Sequence, residues 1–100
     1  AELKDRRILA EEGFVSVYAV VETMTGTILA GPHIQARGVA EDDSVFEEIL
    51  PDVTEALSAA LETGKADAYS LQQVMRRTLG RWIGRRLKRR PMIVPVVIEA

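Results

Sequence analysis

Cysteine is absent from this 100-residue sequence, and histidine occurs only once. Without cysteine the chain forms neither a disulfide framework nor a thiolate metal site, which is typical of proteins of the reducing cytoplasm. It has no run of about 18 apolar residues that could cross a membrane. The charged start of the chain, before Gly13, also lacks the apolar segment of a secretion signal. The composition, 47% hydrophobic and 28% charged, predicts one ordered cytoplasmic domain without membrane contact.

The scarcity of histidine also limits the chemistry of the chain. A hydrolytic metal centre needs several imidazole and carboxylate ligands that converge on one point, and His33 is the single imidazole. The acids that begin at Glu41 lack the Asp-Gly spacing of a calcium loop and are better explained by a helix start. No nucleophile and base occur in a recognisable pattern. We therefore expect no catalytic residue, no metal ligand and no cofactor in this chain.

The formal net charge of −2 hides two separated blocks of charge. Eight of the fifteen acids lie between Glu41 and Glu62, and eight of the thirteen bases lie between Arg76 and Arg90. The bases could contact RNA phosphates, or they could form a solvated helix face that pairs with the acids. No exposed aromatic side chain interleaves them, because Trp82 falls on an apolar stripe. The candidate RNA-contact residues are Arg76, Arg77, Arg81, Arg85, Arg86, Lys88, Arg89 and Arg90.

Residues 14–22 alternate at period two and predict a strand. A turn through Gly26 leads into a returning strand at 27–30, which Gly31 and Pro32 are expected to end. Residues 31–43 are then predicted to form a loop. The last strand is predicted at residues 92–98, where Pro95 indicates an edge position or a bulge.

Two helices are predicted between these strands. The first begins at Ser44, whose pattern with Glu47 is that of a capping box, and ends at Gly64. Pro51 either kinks this helix or starts a second segment. The second helix begins at a similar pattern at Ser70 and carries one apolar stripe for about 18 residues. Its two glycines, Gly80 and Gly84, are expected to permit a close approach by a neighbouring group.

The element order ββααβ predicts an α/β (α+β) domain at residues 13–100, preceded by a linker end and lead-in at residues 1–12. We expect a two-layer sandwich, with a three-stranded sheet and both helices on one face. We expect the helices to cover the face of the first strand that carries Val15 and Val17.

The opposite sheet face is expected to be apolar as well. A contiguous apolar patch on a soluble domain typically marks a partner surface, and the simplest partner is a second copy of the chain. We predict a homodimer or higher oligomer, although the N-terminal segment or the 31–43 loop could cover this face instead. The candidate self-association residues are Phe14, Tyr18, Val20, Val94 and Val96.

Three separated motifs resemble the C-terminal domain of bacterial ribonuclease J. They are residues 5–13, the stretch from Gly31 to Gly38 with its Gly-Pro-His-Ile and Ala-Arg-Gly segments, and Arg89-Arg90-Pro91-Met92-Ile93-Val94-Pro95-Val96. The resemblance implies a parent enzyme with a metallo-β-lactamase core and a β-CASP insert, acting on RNA as a 5′-to-3′ exonuclease and endonuclease. It also implies two zinc ions held by a His-rich motif that is absent here.

In that family the C-terminal domain is associated with self-assembly and full activity. The resemblance therefore implies a non-catalytic accessory domain whose partners are a second copy and the catalytic core of the parent chain. The alternative is an RNA-binding module that presents substrate through the basic 76–90 face.

Overall fold

The computed structural model of the chain describes residues 12–100. The predicted linker end and lead-in therefore lie outside the described residues, except for Glu12. The elements are β1 (Phe14–Glu22), β2 (Thr27–Arg37), a 3-10 helix (Asp43–Glu48), α1 (Leu50–Glu62), α2 (Ala68–Arg86) and β3 (Met92–Glu99). This order confirms the predicted ββααβ arrangement and the α+β class.

The sheet has the strand order β2-β1-β3, so β1 is central. It pairs antiparallel with β2 and parallel with β3, and the two helices form the crossover that a parallel pair needs. Val15, Val17, Ala19 and Val21 are at most 1% exposed, because α1 and α2 cover their face of the sheet. The two predicted layers are therefore present, with one sheet face left open.

The second strand is longer than predicted, and the prediction that Gly31 and Pro32 end it is wrong. β2 continues to Arg37, so residues 31–37 belong to the sheet and not to a loop. Register shifts beside Val20 show that β2 contains bulges. Gly31 takes a φ of +81° there, and a Cβ on it would lie 2.7 Å from the backbone oxygen of Tyr18. The glycine marks a close approach within the strand rather than its end.

The first helical segment starts differently from the prediction. Ser44 lies inside the 3-10 helix, and the cap is Asp42, whose side chain accepts a hydrogen bond from the Ser44 N–H at 2.9 Å. The backbone N–H and the hydroxyl of Ser44 lower the pKa of Asp42. Pro51 lies in the first turn of α1, which confirms that it starts a second segment. Gly64 follows the end of α1 with a φ of +69°, as predicted for a C-terminal glycine.

The start of α2 also differs, because Ser70 is not its cap. Asp67 caps the helix by accepting the Ser70 N–H at 2.8 Å, and the Ser70 hydroxyl accepts the Asp67 N–H at 3.0 Å. The carboxylate of Asp67 is stabilised by hydrogen bonds from Ser70, from the backbone N–H first and the hydroxyl second, and these lower the pKa of Asp67. No helix in the described part of the chain is long and apolar enough to cross a membrane.

The helices bury one stripe each. In α2 the stripe is Leu71, Met75, Leu79 and Ile83, and in α1 it is Val53, Leu57 and Leu61. Trp82 is partly buried against this core, with its ring centroid 5.5 Å from that of Phe46. A Cβ on Gly80 would meet the Cδ1 atom of Ile93 at 3.4 Å, whereas nothing lies within 4 Å of the corresponding position on Gly84. The expected close approach therefore occurs at Gly80 and not at Gly84.

Candidate self-association surface and basic helix face

The open sheet face carries a contiguous apolar patch on its central and C-terminal strands. Side chains alternate along β1, so Tyr18 and Val20 point away from the helices. In the parallel register, Tyr18 lies beside Val96 and Val20 lies beside Ile98. The exposed fractions are 37% for Tyr18, 36% for Val94, 41% for Val96 and 51% for Ile98. We call the outward side chains of β1, β2 and β3 the open face.

The fold brings all five predicted self-association residues onto this one face. On this face of β1 the polar Ser16 separates Phe14 from Tyr18, and Val94 lies beside Ser16 on β3. Sequence reasoning missed Ile98, although the period-two pattern that selected Val94 and Val96 continues to it. Self-association through this surface stays a prediction.

Polar side chains border the patch on the β2 side. His33 lies opposite Tyr18, and the two ring centroids are 5.0 Å apart. Gln35 lies opposite Ser16, and Arg37 lies opposite Phe14. An apolar centre with a polar rim is the usual anatomy of a protein interface.

Residues 31–37 do not cover this face, because they are part of the sheet itself. Among residues 12–100, the exposure of Val96 and Ile98 shows that no other segment covers the centre of the patch. The other alternative, cover by the N-terminal segment, lies outside the described residues.

The basic residues form a second surface on and after α2. Arg76, Arg77, Arg81, Arg85 and Arg86 are exposed on the helix, Lys88 and Arg90 are exposed beyond it, and Arg89 is half-buried. The Nε atom of Arg86 lies 3.1 Å from the Oε2 atom of Glu48, with both side chains about half exposed. The predicted RNA-contact residues are thus mostly exposed to solvent, but some of them lie close to acidic side chains and others do not.

Acids from α1 share part of this basic surface. Arg81 and Arg85 line a groove of about 420 Å³ between the helices, together with Asp52 and Glu55. Opposite charges along one groove reduce its attraction for a polyanion. For Arg81 and Arg85 this arrangement favours the interpretation as a solvated helix face that is balanced by acids. Arg76 and Arg77 lie outside the groove.

A further concave surface is a cleft of about 990 Å³ at the end of the β1–β2 pair. Its lining includes Phe14, Arg37, Asp42, Asp43 and Phe46. One of its acids, Asp42, is already used as a helix cap. In the part of the chain that the structure describes, no three His, Cys, Asp or Glu side chains are grouped so that they could hold a metal ion.

The fold and its surfaces define a small α+β domain built on a mixed three-stranded sheet. The chain belongs to the ribonuclease J C-terminal domain family, whose model matches residues 1–100. This finding confirms the resemblance seen in the three sequence motifs.

Individual relatives agree with the family. The chain is 40% identical over 93 residues to Ribonuclease J of Mycobacterium tuberculosis and 38% identical over 93 residues to Ribonuclease J of Mycolicibacterium smegmatis. It is 34% identical over 100 residues to Ribonuclease J 2 of Staphylococcus aureus. These matches cover 93%, 93% and 97% of the chain but only 17%, 17% and 18% of the relatives, so the chain spans less than a fifth of their length.

Proposed function

We propose that the chain is a non-catalytic accessory domain of a cytoplasmic, ribonuclease J-type enzyme that processes and degrades RNA. In this proposal the 5′-to-3′ exonuclease and endonuclease action belongs to the catalytic core of the parent protein. The domain promotes self-association and, through it, full activity. Family membership supports the proposal, together with the small share of the relatives that this domain represents.

The zinc that the family implies does not fit the residues of this chain. His33 is the single imidazole, and it is exposed, with its ring tilted against that of Tyr18. Zinc sites for hydrolysis use three protein ligands of the His, Asp and Glu type around one point. We therefore assign no step of RNA cleavage to this domain and leave zinc to the parent's core.

The apolar patch of the open face is the observation that carries the self-association proposal. With about 3.3 Å per residue and about 4.8 Å between strands, the face measures roughly 26 by 15 Å. Each copy would bury about 400 Å², compared with about 800 Å² per partner in a standard stable interface. We therefore expect the isolated domain to associate weakly and reversibly, with further contacts from the parent chain adding to the assembly.

Sedimentation equilibrium over a wide range of concentrations tests this proposal on the 100-residue chain. We expect the weight-average mass to rise with concentration. Tyr18→Glu should suppress that rise, because it places a charge in the middle of the patch, and should leave the circular dichroism spectrum unchanged. Tyr69→Glu is the matched control, since Tyr69 is 69% exposed on the helical layer.

Two results would contradict this proposal. A mass that stays monomeric at every concentration argues against self-association of the domain. If Tyr18→Glu unfolds the chain instead, Tyr18 belongs to the core and the open face has been assigned wrongly.

RNA binding through the basic face is the second candidate function. The observation that favours it is that Arg76 and Arg77 are both exposed and lie away from the acid-lined groove. Phosphate contacts make affinity fall steeply with salt. An RNA titration at two salt concentrations, with Arg76→Glu/Arg77→Glu as the variant, tests the idea, and absence of binding at low salt removes it. The pair Arg85→Glu/Arg86→Glu reports on the groove side of the same face and should leave self-association intact.

A further inference from the structure

Two opposite charges sit at opposite ends of the open face. Arg37 lies at one end, opposite Phe14, and Glu22 lies at the other end, opposite Thr27. Phe14 and Glu22 are the first and last residues of β1, so the two charges are roughly 26 Å apart at about 3.3 Å per residue. They cannot pair within one copy. Among the described residues, neither side chain makes an ion pair.

The edges of the sheet are poor sites for association. β3 contains Pro95, which has no N–H to donate to an added strand. β2 carries Pro32 and the bulges beside Gly31, which disturb its outer row of backbone groups. Association by sheet extension is therefore disfavoured at both edges, and packing of one open face on another is favoured.

We propose that two copies pack open face against open face about a two-fold axis that runs across the strands. This proposal rests on the proposed function, since it specifies the partner and the geometry of the same surface. In this arrangement the strands of the two sheets run antiparallel. The end of each open face that carries Arg37 then lies over the end of the other open face that carries Glu22. Arg37 of each copy therefore pairs with Glu22 of the partner subunit, which gives two ion pairs across the interface.

The alternative axis, parallel to the strands, lacks this complementarity. It lays β1 over β1 in the same direction and places Glu22 over Glu22 of the partner subunit. Like charges brought together in an interface cost association free energy, whereas complementary rim charges set orientation and accelerate encounter. The proposed axis also passes near Tyr18, the middle residue of β1. A charge introduced at this position therefore lies close to the same charge in the second copy and is repelled by it.

Charge reversal tests the orientation. Arg37→Glu and Glu22→Arg should each weaken self-association on the order of ten-fold, because each replaces two attractions by two repulsions. The variant that carries both changes should recover the original dissociation constant to within about three-fold, since the pairs are re-formed with exchanged signs. Arg77→Glu makes the same charge change on the helical layer and should have no effect.

Mixing the two single variants gives the sharpest readout. An Arg37→Glu copy and a Glu22→Arg copy satisfy both pairs when they meet, so the equimolar mixture should associate more strongly than either variant alone. The measurement is sedimentation equilibrium at low salt, with one variant labelled. Arg37 also lines the cleft beside Asp42 and Asp43, so unfolding midpoints are measured for each variant, and Glu22→Arg is free of that contact.

The outcomes separate this inference from the function on which it rests. If the unmodified chain stays monomeric, the proposed function fails. If it associates and Tyr18→Glu prevents this, but neither single reversal weakens association or the mixture does not recover it, the open face is the interface and the proposed axis is wrong. Weakening by both single variants with recovery in the mixture supports the axis.

Discussion

Gly31→Ala should destabilise the domain far more than its small change in volume suggests. Gly31 has a φ of +81°, in the left-handed region, which costs an L-residue about 1–2 kcal/mol. The new Cβ would also lie 2.7 Å from the Tyr18 backbone oxygen and 3.1 Å from the His33 nitrogen. Both atoms belong to the β1–β2 ladder, so neither can move without disturbing it. Overpacking of this kind adds about 1–3 kcal/mol, so we expect a total loss of about 3 kcal/mol.

Urea unfolding followed by the fluorescence of Trp82, the sole tryptophan, measures this loss. With an m-value of about 1.5 kcal/mol per molar, the midpoint should fall by about 2 M without a change in slope. Gly64→Ala is the matched control: its φ is +69°, but nothing lies within 4 Å of the added carbon. It should lose only about 1 kcal/mol. Equal losses at Gly31 and Gly64 would refute the steric part of the reasoning.

Two further predictions concern α2. Gly84→Ala should stabilise the domain by about 1 kcal/mol and raise the melting temperature by about 4–8 °C, because nothing lies within 4 Å of the new carbon; a lower temperature in a thermal scan would reveal a contact at this position. Asp67→Asn tests the cap. Ser70 holds the pKa of Asp67 below its ordinary 3.8, so the ionised cap stabilises the fold above that pH, and its contribution is lost as the pH falls below it. In acid titrations the variant should lose stability less steeply than the original chain, and parallel curves would contradict this.

The bounds of the central strand could be predicted in full because it has a neighbouring strand on each side along almost its whole length. β1 pairs on both sides and is covered on one face, so the period-two pattern of Val15 and Val17 matches their burial. β2 could not be predicted past Gly31, because local turn chemistry is overridden there by pairing with residues up to 23 positions away, as in Phe14 with Arg37. Long-range pairing is not visible in a local pattern.

The predicted capping residues of the helices were wrong for a different reason. Both Ser44 and Ser70 follow an aspartate by two or three positions, and each aspartate is itself a good cap. Sequence patterns do not decide between two neighbouring caps, whereas the geometry selects Asp42 and Asp67. The open face was predicted at its centre and missed at its rim, because Arg37 was assigned to a loop when residues 31–37 were taken out of the sheet.

The parallel pairing of β1 with β3 imposes an order on the formation of this domain. Phe14 pairs with Met92, 78 positions later, so one side of the central strand has no neighbour until the end of the domain has been synthesised. The hairpin and the helices can form early from local contacts, but the sheet is completed by its most distant segment. On the ribosome, Val94, Val96 and Ile98 join the sheet last. The open face, through which we propose self-association, therefore reaches its full width only after β3 has joined the sheet.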